Sequence, residues 1–201
     1  MKIIVTGATG LIGAEVVRQA ISDDNISEII LLVRNQPEQQ HPKITVAFHT
    51  DFSDYSNVQS YFAKAGAIIW CLGISQTQVS RKQYEIITYE YLNACAKFCM
   101  LVNPAIRFVF VSGNGADRTE KSRILFSRIK GKAENSLLQS GLKNIFIARP
   151  DAVNPRHKNK KACNITGTRI NVSVYQNILS VGRICFFYLV TGYQISCVFI
   201  I

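Results

Sequence analysis

The chain has 201 residues, of which 48% are hydrophobic and 18% charged; this excludes wholesale disorder and fibrous or low-complexity architectures and fits one folded domain. The formal net charge is +10, and residues 151–201 hold six of the 23 Lys and Arg but only one of the 13 acidic residues, Asp151. Such a balance favours anionic partners, nucleotide phosphates among them, without bearing on the fold.

A first strand is predicted over Lys2–Thr6, then a helix over 11–23 whose apolar stripe is Ile12, Val16, Val17, Ala20 and Ile21. Strands follow over Glu28–Val33 and Ile44–Phe48, separated by the polar, proline-containing stretch 34–42, and then a short helix over 55–65. Residues 67–72 are almost continuously apolar, the pattern of a strand buried on both faces. A longer helix over 83–100 is indicated by Tyr84, Ile87, Tyr91, Cys95 and Phe98 at spacings of three and four. A strand over Arg107–Val111, a helix over 126–139 closed by Gly141, and a last strand over Asn144–Ala148 stopped by Pro150 complete the pattern. Six strands in βαβ succession with right-handed crossovers imply an α/β, doubly wound parallel sheet in three αβα layers, of order 3-2-1-4-5-6. Ligands then bind outside the carboxyl ends of the strands, so the loops after residues 6, 33, 48, 72, 111 and 148 are the candidates.

Residues 1–155 are expected to form this unit, with a basic linker and an apolar tail over 156–201. The densest cationic run, residues 156–161, lacks interleaved aromatics and any pattern that would present it to a groove, so a solvated loop is preferred to a nucleic-acid site. Residues 184–201 are 18 without a charge, 14 of them apolar. A helix of that length reaches about 27 Å against a hydrocarbon core of about 30 Å. Buried or edge strands are therefore preferred to a C-terminal membrane anchor flanked by Arg183, and an end altered by truncation or a shifted reading frame is the third alternative. A glycine already at position 7 comes too early for a signal peptide, so a cytoplasmic protein with six reduced cysteines is expected. Cys95 and Cys99 share a helix face, but His41, His49 and His157 are dispersed, and no metal site is expected.

The first candidate loop reads Gly7-Ala8-Thr9-Gly10-Leu11-Ile12-Gly13. Directly after a strand, the first glycine permits a tight turn, the second clears the approach of a pyrophosphate, and the third lets the helix pack close to the sheet. The amides of the helix N-terminus then face the phosphates, with Thr9, Leu11 and Ile12 completing the turn. The spacing GxxGxxG is one residue longer than the standard GxGxxG, and its place in a βαβ unit points to a Rossmann dinucleotide site. The second strand ends in Arg34, where an NAD-specific site would carry a carboxylate; a guanidinium suits a 2′-phosphate, so NADP(H) is favoured over NAD(H).

With Trp70-Cys71-Leu72-Gly73, Val111-Ser112-Gly113-Asn114-Gly115-Ala116-Asp117, Ile129-Lys130-Gly131-Lys132-Ala133-Glu134 and Ala148-Arg149-Pro150 in that order, the chain resembles an atypical short-chain dehydrogenase/reductase. It is close to the Tat-interacting-protein type and the NAD(P)H-binding domains grouped with it. The resemblance covers about residues 1–155. It implies Asp51 and Phe52 beside the adenine, Cys71, Leu72 and Gly73 along the adenosine side of the groove, and the loop after Pro150 at the nicotinamide end. It also implies Ser112 as the residue that orients a substrate oxygen and Lys130 as the lysine that holds the nicotinamide ribose. The tyrosine that active relatives use as proton donor is replaced by Phe126, which has no proton to give. Tyr84, Tyr89 and Tyr91 are the available substitutes, more naturally read as core or surface. The expected function is NADP(H) binding with low or absent carbonyl reduction; the alternative is a non-catalytic redox-sensing module that acts through a protein partner. After Pro150 the tail departs from the family pattern, which leaves substrate and oligomeric state open.

Overall fold

The computed structural model describes residues 1–150 and 199–200. Six parallel strands, β1 (Lys2–Thr6), β2 (Glu28–Val33), β3 (Ile44–Phe48), β4 (Ala67–Trp70), β5 (Arg107–Val111) and β6 (Asn144–Ala148), stand in the order β3-β2-β1-β4-β5-β6, and the two-residue β7 (Phe199–Ile200) pairs antiparallel with β6. Apart from that edge pair, the expected order and the boundaries of β1, β2, β3, β5 and β6 are those observed. Residues of the strands alternate between two cores, as the two-residue pleat requires. Ile3, Val5, Ile29, Leu31 and Ile69 face Val16, Val17 and Ala20 of α1 (Leu11–Ile21). Ile4, Ile30, Trp70, Phe108 and Phe110 face α2 (Gln59–Lys64), α4 (Tyr91–Val102) and α5 (Leu125–Leu138) through Phe62, Cys95, Cys99 and Ala133.

Three boundaries depart from the sequence pattern for physical reasons. β4 ends at Trp70 and not at Leu72, because its partner β1 ends opposite it in the pair Thr6↔Trp70 and then turns away. The expected helix over 55–65 begins as a 3₁₀ turn, Ser56–Val58, before α2. The long helix starts two residues early at α3 (Arg81–Glu85), where the Ser80 hydroxyl accepts from the Gln83 amide at 3.2 Å. It then passes through a π-helical segment, Ile86–Glu90, before α4. At its end the Asn103 side-chain amide donates to the carbonyls of Phe62 and Ala65, which fixes α4 to α2.

Of the apolar tail over 184–201 only β7 lies within the described residues, as an edge strand. The linker from 156 lies outside them. Among the described residues no helix is long and apolar enough to cross a membrane.

Candidate functional site

Because all six strands run parallel, their carboxyl ends bring residues from six separate loops to one edge of the sheet, where the strand order reverses between β1 and β4. The glycine turn leaves β1 here. Gly7 has φ +66°, and a Cβ on it would lie 2.6 Å from the Cys71 carbonyl oxygen, so only glycine fits. The Gly10 amide donates to the Gly7 carbonyl at 2.9 Å, and α1 begins at the next residue with no side chain capping its first-turn amides. Thr9, Gly10 and Leu11 are exposed and Ile12 is half-buried, so this face of the turn is open. The added Cβ of Gly13 would stand 2.1 Å from the carbonyl oxygen of Gly7, the residue directly after β1, so the third glycine lets α1 sit close against the end of that strand. These open amides and the cradle that side chains would fill fit a pyrophosphate.

Arg34, at the end of β2, is exposed and has no hydrogen-bond or ion-pair partner among the described residues. Asp51 is exposed, and its carboxylate accepts from the Ser53 hydroxyl at 2.5 Å and the Ser53 amide at 2.9 Å, which holds it below the usual carboxylate range. Phe52 as a residue is only 3% exposed, and its ring packs against His49, Tyr91 and Trp70. Cys71 and Leu72 are half-buried, and Leu72 is tied to β1 by its amide, which donates to Thr6 Oγ1 at 3.3 Å. Burial pushes the Cys71 thiol up to about 12 against the opposing pull of Lys130, so it stays protonated at neutral pH. Gly73 is exposed, and nothing lies within 4 Å of a Cβ built on it.

Ser112, Phe126 and Lys130 are brought together by β5 and α5. The ring of Phe126 lies on Gly113, whose added Cβ would be 2.6 Å from Phe126 Cζ, and the Phe126 amide donates to the Gln76 side chain at 3.0 Å. Lys130 Nζ donates to the Val111 carbonyl at 3.2 Å and sits 4.9 Å from the centre of the Phe110 ring. The Ser112 hydroxyl donates to Glu134 Oε1 at 2.6 Å. Glu134 is fully buried and also accepts from Arg149 at 2.5 and 2.9 Å and from Arg118 at 2.8 Å. Burial pushes its carboxyl up, but Arg149, Ser112 and Arg118 together hold it below the usual range. Half-buried Pro150 joins this end of the site by accepting from the Asn114 amide at 2.9 Å. Glu134, Arg118, Arg149 and Gln76 are contributors that residue-by-residue reading missed. The one local signal was the four-residue spacing of Lys130 and Glu134, which places both on one face of α5. Of the substitute tyrosines, Tyr84 is buried, Tyr89 lies under Lys132 at 4.2 Å, and Tyr91 packs on Phe52. Among the described residues no group of three or more His, Cys, Asp or Glu is placed to hold a metal.

The buried ammonium carries a cost. Burial lowers the Lys130 pKa from 10.5 to about 8, against the pull of Glu134 and Cys71. Between those values the unfolded chain binds the proton more tightly, so stability rises as pH climbs from about 8 towards 10.5. Lys130→Met is expected to raise stability at pH 7 by about 2 kcal/mol, the roughly 3 kcal/mol of linkage less one lost hydrogen bond, with the gain shrinking above pH 8. Urea unfolding across pH measures this; a variant less stable than wild type at pH 7 would contradict it.

Residues 7–171 match the sequence profile of a family described as NAD(P)H-binding. The chain is similar to the protein FMP52, mitochondrial, of Candida albicans, at 27% identity over 157 residues, 76% of this chain and 67% of that one. It is also similar to the protein fmp52-2, mitochondrial, of Aspergillus terreus, at 21% identity over 189 residues, 89% of this chain and 82% of that one. Among solved structures it resembles the UDP-glucose 4-epimerase of Thermotoga maritima, with a TM-score of 0.63 and 15% identity over 82% of this chain and 60% of that one. The yeast methylglyoxal/isovaleraldehyde reductase Gre2 complexed with NADPH gives a TM-score of 0.59 and 15% identity over 76% of this chain and 58% of that one. These two likenesses show a shared fold. The chain spans less than two thirds of both enzymes, and the family match runs past residue 155.

Proposed function

The chain belongs to this NAD(P)H-binding family, a Rossmann domain related to the extended short-chain dehydrogenase, epimerase and reductase superfamily, and on that premise we propose that it binds NADP(H) in preference to NAD(H) and reduces carbonyls weakly or not at all. Support for the phosphate preference comes from Arg34, an exposed guanidinium without a partner among the described residues, at the strand end where an acidic residue would repel a 2′-phosphate. Arg34→Ala is expected to weaken NADPH binding about tenfold and leave NADH unchanged, as read by calorimetric titration. Equal loss for both nucleotides, or none, would remove Arg34 from the cofactor site.

The observation that carries the second half is the Phe126 ring resting on Gly113 beside Ser112 and Lys130. When bound, the nicotinamide supplies or accepts hydride, and the chain itself must handle the accompanying proton. Phe126 has none, Ser112 directs its own to Glu134, and Lys130 donates to a backbone carbonyl. A missing general acid slows such a reaction by on the order of 10²- to 10⁴-fold. Phe126→Tyr is expected to raise NADPH-dependent turnover on a panel of small aldehydes and ketones by about 10²-fold. Enzyme-like rates in the wild type would overturn the assignment of low activity.

The Ser112–Glu134 bond favours a second use of the same site, a binding module whose cofactor occupancy is passed to a protein partner. No gain in Phe126→Tyr, together with micromolar NADPH binding, would support it. We retain a cytoplasmic location as part of the proposal. Cell fractionation tests it, and recovery with mitochondria, the location in the relatives' names, would overturn it.

A further inference from the structure

A cleft of about 500 Å³ opens between α3 and α5. Consecutive residues separate it from the candidate groove: Phe126 turns to Gly113, whereas Leu125 lines the cleft. Its apolar wall is Leu125 and the buried Ile129, and its cations are Arg81, Lys82, Arg128 and Lys132. Both carboxylates of the cleft are already engaged. Glu85 holds Lys132 at 2.6 Å, and Glu120 accepts from the Asn135 side chain at 2.7 Å. Arg128 spends one nitrogen on the Ser122 carbonyl, while Arg81 and Lys82 are exposed and have no partner among the described residues. The cleft therefore offers unspent cationic donors beside an apolar wall.

Two irregularities of the backbone fall on its rim. Glu120, at φ +59°, lies in the left-handed region, and Asn135 donates to both its side chain and the Arg118 carbonyl. The π-helical segment begins directly after Glu85. Strained residues and π-turns concentrate where a protein shapes a binding surface. The volume is that of a site for a small organic ligand.

We propose that this cleft binds a small amphipathic anion, its carboxylate, sulfonate or phosphate head on Arg81, Lys82 and Arg128 and its apolar body on Leu125 and Ile129. The site is independent of the nucleotide and stands if that assignment fails. The probe is 8-anilinonaphthalene-1-sulfonate, titrated by fluorescence into the full chain with saturating NADP⁺, which keeps the glycine turn occupied. One saturable site is expected, and Arg81→Glu/Lys82→Glu, which removes no side-chain hydrogen bond or ion pair among the described residues, is expected to weaken it about tenfold. The uncharged analogue N-phenyl-1-naphthylamine is expected to bind about tenfold more weakly than the sulfonate for the same reason. Full displacement of the probe by NADP⁺, unchanged affinity in the double variant, or equal affinity for the uncharged analogue would each overturn the proposal. Should NADP⁺ fail to bind at all, the same comparison of wild type with the double variant decides the matter without it.

Discussion

Glu134→Ala is expected to destabilise the protein by about 3 kcal/mol in urea unfolding, because it removes the one acceptor on which Ser112, Arg118 and Arg149 converge. Breaking a buried ion pair costs about 3 to 5 kcal/mol, and the low end applies here because both guanidiniums, 31% and 20% exposed, regain water. Arg118 Nη2 is buried without a hydrogen-bond partner among the described residues, so none of these offers a further acceptor to that nitrogen. The pH dependence follows from the depressed carboxyl. Its contribution is complete above the ordinary carboxylate range and is lost as pH falls through the lower folded-state value, so wild type and variant converge in acid. A loss below about 1 kcal/mol at pH 7 would show that the cluster is no more than a surface ion pair. The effect also reaches the site, since Ser112 recovers its proton for other acceptors in the variant.

Gly13→Ala is expected to lower NADPH affinity by about 100-fold. The added carbon would stand 2.1 Å from the Gly7 carbonyl oxygen and 2.7 Å from its carbon, and backbone atoms cannot rotate aside as a side chain would. Either α1 withdraws or the turn shifts, and in both cases the first-turn amides leave the place where a pyrophosphate would meet them. Gly73→Ala is the internal control. Nothing stands within 4 Å of its added Cβ, so the fold is unaffected and any loss of affinity reports the approach of the nucleotide itself. Titration calorimetry with thermal unfolding separates the two effects; a Gly13→Ala protein that folds and binds NADPH as tightly as wild type would dissociate the turn from the cofactor.

The sheet was legible because its strands are short apolar runs bounded by polar turns, and β1, β2, β3, β5 and β6 begin and end where those runs do. β4 was not, since Cys71 and Leu72 continue the apolar run after the neighbouring strand has stopped, and only pairing ends the strand there. The π-helical segment Ile86–Glu90 moves the buried face by one residue, to Thr88 and Leu92 in place of the expected Ile87 and Tyr91, which are half-buried, and a regular helical period could not show that shift. Within the candidate site the glycine turn was legible from its motif spacing, whereas Ser112, Lys130 and Phe126 were singled out only by the resemblance to short-chain dehydrogenases. The role of Glu134 was not legible, because a carboxylate on a helix ordinarily faces water, and its burial depends on arginines 15 and 16 residues away in the chain. Phe52 shows the same limit in reverse: a position beside the candidate groove says nothing of which way the ring turns.

Local chemistry thus dictates the succession of strands and helices, the sharp turn at Gly7 and the absence of an acid at residue 126, since hydrophobic period, backbone sterics and side-chain composition act over a few neighbouring residues. Contacts between distant segments assign the rest. They direct the Ser112 proton to Glu134, make Lys130 a buried ammonium and open a cationic cleft between α3 and α5. Desolvation and charge pairing depend on what the folded chain places around a group, and no stretch of sequence carries that alone.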